Sequence, residues 1–138
     1  MNIAFFLTPK KDVVFLKTTM TIRKALDVID AHSFNEMPVI NSEGEYWGTL
    51  SQGDILHFIR GNPDPRRLLR FRIKDLQPRM LIKPVRINCN IEDLIMVSIG
   101  QNFVPVIDDN DKFIGIIKRS AIITYCYQRL FKKSMIEA

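Results

Sequence analysis

Apolar residues along the chain fall into short runs separated by amphipathic stretches, and the same succession occurs twice. Val13-Val14-Phe15-Leu16 is a β-type run, after which Thr21 caps a stretch with Ile22, Ala25, Leu26 and Ile29 on one helical face. Met37-Pro38-Val39-Ile40 is a second apolar run, Asn41-Ser42-Glu43-Gly44 supplies turn chemistry, and Tyr46 to Leu50 pairs back as a hairpin. Ser51 ends that strand and opens a helix through Ile55, Leu56, Phe58 and Ile59, which Gly61-Asn62-Pro63-Asp64-Pro65 stops. The second passage predicts a strand around Pro84 to Ile87, an Asn90-capped helix from Ile91 to about Ile99, and a strand from Phe103 to Ile107. The turn Asp108-Asp109-Asn110-Asp111, a strand from Phe113 to Ile117 and a helix from about Ser120 to Arg129 complete it.

Val104 follows Met37, and Gly115 follows Gly48, at one constant offset, so the repeat fixes the architecture before any chemistry is considered. Each copy reads β-α-β-β-α, an α+β arrangement. A small sheet with two helices on one face leaves its other face apolar, so neither copy hides its core alone. The expectation is two repeats packed sheet to sheet with pseudo-twofold symmetry. The copies span 1–61 and 73–131, with a linker at 62–72 and a basic tail at 132–138.

The 138 residues are enough to bury about two-thirds of the unfolded surface. Hydrophobic residues make up 46%, yet no run approaches the roughly 20 needed to span a bilayer, so no membrane role is expected. Ile3 to Leu7 is apolar but short, lacks a basic region before it and meets Pro9-Lys10-Lys11, so it does not read as an export signal. Cys89 and Cys126 sit in apolar company without Cys-x-x-Cys spacing, which suits packing in a reducing compartment and hence the cytoplasm. The net charge of +5 is concentrated in Arg60, Arg66, Arg67, Arg70, Arg72, Lys74 and Arg79, and again in Arg129, Lys132 and Lys133. Such runs are either solvated faces or polyanion contacts.

In this order, and twice over, the motifs resemble cystathionine-β-synthase-type (CBS) domains, and the whole chain resembles a stand-alone tandem pair, or Bateman module. The resemblance is carried by Phe6-Leu7-Thr8-Pro9 leading to Val13-Val14, by Thr21-Ile22-x-x-Ala25-Leu26, by Met37-Pro38-Val39-Ile40 and by Gly48-Thr49-Leu50-Ser51-x-x-Asp54. The second copy answers with Ile73-Lys74-Asp75-Leu76, Asn90-Ile91-x-x-Leu94, Val104-Pro105-Val106-Ile107-Asp108 and Gly115-Ile116-Ile117. One departure stands out: the stretch from Leu94 to Pro105 is two positions shorter than its counterpart from Ala25 to Pro38.

Ser51 and Asp54 flank a strand-to-helix junction. Free amides of a first helical turn, with a serine hydroxyl, can hold a phosphate, and a carboxylate on the same face can accept ribose hydroxyls. Ser-x-x-Asp is also the pattern of a capping-box helix start. The resemblance implies the ligand reading, since Gly48, Ser51 and Asp54 fit the family's adenosine-nucleotide signature. It further implies a cleft lined by Thr49, Leu81, Ile82, Lys83, Gln101 and Asn102, with Arg79 as a phosphate partner. In the second copy Lys118 takes the hydroxyl's place and Ala121 the carboxylate's. Lys118 can still attract phosphate, but a methyl group accepts no hydroxyl, so one competent and one degenerate cleft are expected.

His32 and His57 have no Asp, Glu or Cys cluster at metal spacing, so no metal is expected. No Ser-His-Asp set, Walker loop or Gly-x-Gly-x-x-Gly appears, so no enzyme activity and no catalytic cofactor are expected. Tyr46 and Trp47 read as core or dimer-face packing. The resemblance implies a homodimeric regulatory sensor that takes AMP, ADP or ATP as regulatory ligand and reports it to an unidentified protein partner. A cyclic di-adenine nucleotide sensor, a basic nucleic-acid-binding module and a ligand-free scaffold are the alternatives.

Overall fold

The computed structural model describes residues 2–76 and 82–137, with side chains described as far as Phe131. The chain runs through a 3-10 turn at Ile3–Phe6, β1 at Thr8–Pro9, a 3-10 turn at Lys10–Asp12, β2 at Leu16–Lys17, α1 at Ile22–His32, β3 at Glu36–Ile40, β4 at Tyr46–Ser51 and α2 at Gln52–Gly61. It continues with α3 at Arg67–Arg70, a 3-10 turn at Ile73–Asp75, β5 at Val85–Arg86, α4 at Ile91–Ser98, β6 at Phe103–Ile107, β7 at Phe113–Lys118 and α5 at Arg119–Glu137. The α+β class and the double β-α-β-β-α succession are as the pattern predicts. The first strand is shorter than expected, the linker holds α3, and α5 runs past Arg129 through Lys132 and Lys133 instead of ending in a tail.

The elements gather into two compact units, Val14–Ile82 with Asp111–Phe113, and Met1–Val13 with Lys83–Asn110 and Ile114–Ala138. The first has a three-stranded sheet in the order β2-β3-β4, with β2 parallel to β3 (Leu16 opposite Val39) and β3 antiparallel to β4 (Met37 opposite Leu50). Its core is Leu16, Ile22, Ala25, Ile29, Met37, Val39, Leu50 and Ile55, completed by Ile73 and Leu76. The second has a four-stranded sheet in the order β1-β7-β6-β5, with β1 antiparallel to β7 and β5 parallel to β6 (Val85 opposite Val106). Its core is Val85, Leu94, Val104, Val106, Ile117 and Ile122, completed by Ile3 and Phe6.

The compact units therefore do not follow the sequence copies. Ile73 and Leu76 open the second copy but complete the three-stranded unit, while Ile3 and Phe6 open the first copy but complete the four-stranded one. The backbone fixes this exchange. The Ile73 and Lys74 amides donate to the Met20 and Thr18 carbonyls (2.9 and 3.1 Å), the Ile22 amide donates to the Phe71 carbonyl (3.0 Å), and the Arg72 guanidinium donates to the Thr19 carbonyl.

The repeat extends to individual hydrogen bonds. Gln52 N–H donates to Asn35 O at 2.9 Å and Arg119 N–H to Asn102 O at 3.0 Å, donor and acceptor each displaced by the same offset that relates Val104 to Met37. Before the first helix the offset is greater by two: Thr18 donates to Ile40 O and Ile87 to Ile107 O. The difference is absorbed between helix and hairpin, because α1 has 11 residues and α4 has 8, while the connection after α4 is longer by one. Strand register is preserved in both copies, since a slip there would turn the apolar side chains out of the core.

Gly115 is required by close packing. A Cβ there would stand 2.2 Å from the Thr8 carbonyl oxygen of the paired strand, at a backbone φ of +155°. Gly115→Ala should therefore lose at least about 2 kcal/mol in chemical denaturation. Gly61→Ala, where nothing lies within 4 Å, should be near neutral or slightly stabilising. Equal midpoints for the two variants would contradict the β1–β7 arrangement.

Candidate functional site

β4 turns into α2 at Ser51, whose extended backbone (φ −102°, ψ 162°) makes it the N-cap. Its Oγ accepts from the Asp54 amide at 3.0 Å, and Asp54 Oδ2 accepts from the Ser51 amide at 2.8 Å, a complete capping box. A second amide of the first turn, that of Gln52, is used by Asn35 O. The cap pattern legible in the sequence is thus realised, and two amides that might have met a phosphate are spent inside the protein. Asp54 is only 6% exposed, and it lines a cleft of about 260 Å³ with His57, Phe58, Gly61, Asn62, Asp75 and Leu76. A carboxylate has roughly four lone-pair positions, so a cap bond and a ligand hydroxyl are compatible on one group.

Thr49 is buried and bonded, its Oγ1 2.8 Å from the Tyr46 hydroxyl. That hydroxyl donates to the carbonyl of the buried Ile82 at 2.8 Å, which leaves Thr49 as the donor to Tyr46. Burial pushes the Tyr46 phenol up to about 12, against a smaller lowering by the Thr49 bond and with a further push from Glu36. Three positions apart on a regular strand, Tyr46 and Thr49 would face opposite sides. A bulge opposite Val39 and Ile40 takes up Trp47 and brings them to one face.

The remaining expected site residues divide between buried and exposed positions. Gln101 is buried and clasps the backbone of Lys83, accepting from its N–H at 2.9 Å and donating to its C=O at 3.1 Å, with a second donation to Phe103 O at 3.3 Å. Lys83 and Lys118 have exposed side chains. Asn102 is exposed, and its Oδ1 accepts from the Arg119 guanidinium at 2.8 Å. Arg79 and Leu81 lie outside the described residues. Ser51 meets Asp54, Thr49 meets Ile82 through Tyr46, and Gln101 meets Lys83. The Tyr46 relay and the helix-face wall at His57, Phe58 and Asn62 were not foreseen. Only an extra residue between Ile40 and Gly48, relative to a tight hairpin, could have signalled the relay.

Among the described linker cations, Arg66 pairs with Asp64 at 2.9 Å and holds its carboxyl below the usual range. Arg67 donates to Asn62 and stands 5.5 Å from the Phe71 ring centroid. Cys89 packs against the four-stranded core, where burial and then the Asp93 charge push its thiol up. No group of three metal-binding side chains occurs, and no helix is long and apolar enough to cross a membrane, among the described residues.

A doubled β-α-β-β-α unit with a capped carboxylate at the strand–helix junction defines a tandem module. The model for the CBS domain matches residues 6–61 and 82–127, and the chain belongs to that family as a tandem pair. The fold is similar to CbpB solved in complex with c-di-AMP (TM-score 0.87, 23% identity, 97% of this chain and 89% of that one). It is also similar to CbpB from Listeria monocytogenes in complex with c-di-AMP (TM-score 0.80, 21% identity, 94% and 97%). CBSX2 in complex with AMP is a further likeness (TM-score 0.71, 22% identity, 92% and 96%). No curated protein sequence matches the chain.

Tyr46→Phe leaves the Ile82 carbonyl and Thr49 hydroxyl without their partner, and should cost about 1–3 kcal/mol at neutral pH. Because the folded phenol titrates near 12, above its unfolded value of 10.0, its stability is complete below pH 10 and is lost as pH rises toward 12. Urea midpoints measured from pH 8 to 11.5 should fall more steeply in the wild type than in Tyr46→Phe; parallel curves would contradict the relay.

Proposed function

We propose that the protein is a regulatory sensor that binds the adenosine-phosphate moiety common to AMP and c-di-AMP. The observation that carries this reading is the Asp54 carboxylate, nearly buried, fixed at the first turn of α2 and forming a wall of a cleft. A carboxylate accepts at both oxygens, and the vicinal hydroxyls of a ribose can donate to one such group. Support comes from the Gly48-x-x-Ser51-x-x-Asp54 segment and from solved CBS-pair proteins that hold c-di-AMP or AMP. The second copy's Ala121 cannot accept ribose hydroxyls, so one adenosine unit per chain is bound in this way.

The mechanism is a population shift: ligand favours the conformation that binds it better, and a protein partner reads the surface that results. The sensor acts as a homodimer. α5 exposes Ile123, Tyr127, Leu130 and Phe131 at helical spacing, with Tyr127 stacked on Phe131 at 4.6 Å. The occupied linker arginines Arg66 and Arg67 favour this reading over nucleic-acid binding.

A thermal-shift panel of AMP, ADP, ATP, c-di-AMP and GMP separates the possibilities. An adenine ligand at a hundredfold excess over its Kd should add about 2.7 kcal/mol, and the shift should vanish in Asp54→Ala and shrink in Asp54→Asn. Because both variants also lose cap bonds, the ligand-induced shift is the readout, not the unliganded melting point. No shift with any adenine nucleotide, or an undiminished shift in Asp54→Ala, would overturn the proposal. Light scattering should give a dimer for the wild type and a smaller species for Tyr127→Glu; equal masses would contradict the α5 interface.

A further inference from the structure

The four-stranded unit holds a second cleft, of about 380 Å³, between α5 and the opening 3-10 turn. It occupies the same place in the repeat as the Asp54 cleft. On the helix, Ala121, Thr124, Tyr125 and Gln128 are the repeat equivalents of Asp54, His57, Phe58 and Gly61, at the offset of the hairpins. On the 3-10 turn, Phe5 and Phe6 are the equivalents of Asp75 and Leu76, at the offset that relates Ile3 to Ile73 and the cap Asn2 to the cap Arg72. Every ionisable side chain in one wall is thus matched by a neutral one in the other: Asp54 by Ala121, His57 by Thr124, Asp75 by Phe5.

The neutral cleft is also organised as an aromatic site. Phe6 meets Tyr125 edge-on at 5.1 Å, and the Arg129 guanidinium stands 5.5 Å from the same Tyr125 ring, so Tyr125 is held by two neighbours. Phe5 packs edge-on against Phe6 at 5.5 Å yet is 78% exposed, an aromatic surface left open at the lip. Thr124 and Gln128 both donate and accept hydrogen bonds, and no carboxylate or ammonium lines the space. The volume falls within the range of small-molecule pockets.

We propose that this cleft binds an uncharged planar heteroaromatic molecule of purine or indole size, stacked against Phe5 and Tyr125 with its edge atoms bonded to Thr124 and Gln128. A ring with alternating donors and acceptors suits the hydroxyl and amide groups, and the aromatic faces supply the contact area. No lysine or arginine lines the wall to pair with a phosphate, and no carboxylate stands where one would hold a ribose. The cleft shares no residue with the Asp54 cleft, so either could fail without the other.

Methyl 1H–13C spectra of the full chain test it, with adenine, indole and AMP each added at millimolar concentration. Adenine or indole should move the Ala121 and Thr124 methyl signals in the wild type and equally in Asp54→Ala. Thr124→Trp, at an exposed position, should fill the cleft and abolish the response. Phe5→Ala should weaken it between about twofold and tenfold. Still signals at Ala121 and Thr124, an Ala121 response that survives Thr124→Trp, or AMP moving them as strongly as adenine would each overturn the proposal. So would shifts of these methyls that depend on protein concentration alone, which would mean that a second copy occupies the cleft.

Discussion

Everything in the molecule depends on an exchange of chain between its two sequence copies. The opening segment of each copy completes the core of the compact unit built around the other copy's hairpin: Ile73 and Leu76 in one case, Ile3 and Phe6 in the other. Burying a side chain of this size contributes about 1.5–3 kcal/mol, so each exchanged pair supplies roughly 3–6 kcal/mol. Set against a typical net stability of about 5–15 kcal/mol, that is enough to decide whether a unit folds. The close approach of β1 to Gly115 and the hydrogen bonds of Ile73 and Lys74 are the backbone means by which the exchange is held.

The exchange also builds the clefts. Each is bounded by the second helix of one copy and by the 3-10 turn of the other, α2 with Ile73–Asp75 and α5 with Ile3–Phe6. Duplication therefore produced two pockets of one design, and divergence of their walls gave them different chemistry. One keeps a carboxylate tied to a helix start; the other has become aromatic and neutral. The walls can differ in this way without any change in backbone, because the hydrogen bonds at Gln52 and Arg119 keep both junctions in the same register.

Much of the fold was legible in the sequence because the hairpins carry the repeat in strict register, with turn residues at matching places. Gly44 and Asp111, equivalent positions of the two hairpin turns, both adopt positive φ (81° and 63°), and Asn41 and Asp108 each accept a backbone amide two residues on. The exchange was not legible, because apolar patterning says that Ile3 and Ile73 are buried but not in which core. Nor was the length of the first strand, since Val13 to Leu16 has strand-forming residues while only Leu16 and Lys17 find a partner. At the site, the Ser51–Asp54 cap could be read from spacing alone, whereas the ligand reading came with the family resemblance. The Gln101 bonds to the Lys83 backbone could not: the family resemblance gave Gln101 only as a cleft residue, and a contact between positions 83 and 101 is decided by tertiary structure. Tyr46 was assigned to packing because an alternating strand pattern contains no bulge.

The exchange of opening segments is tested most directly by comparing two fragments in urea, one spanning residues 14–82 and the other residues 1–61. The first retains Ile73 and Leu76 with their core; the second keeps the intact first sequence copy but lacks both. Residues 14–82 should show a cooperative transition and residues 1–61 should not. Cooperative unfolding of 1–61 together with a featureless baseline for 14–82 would contradict the account.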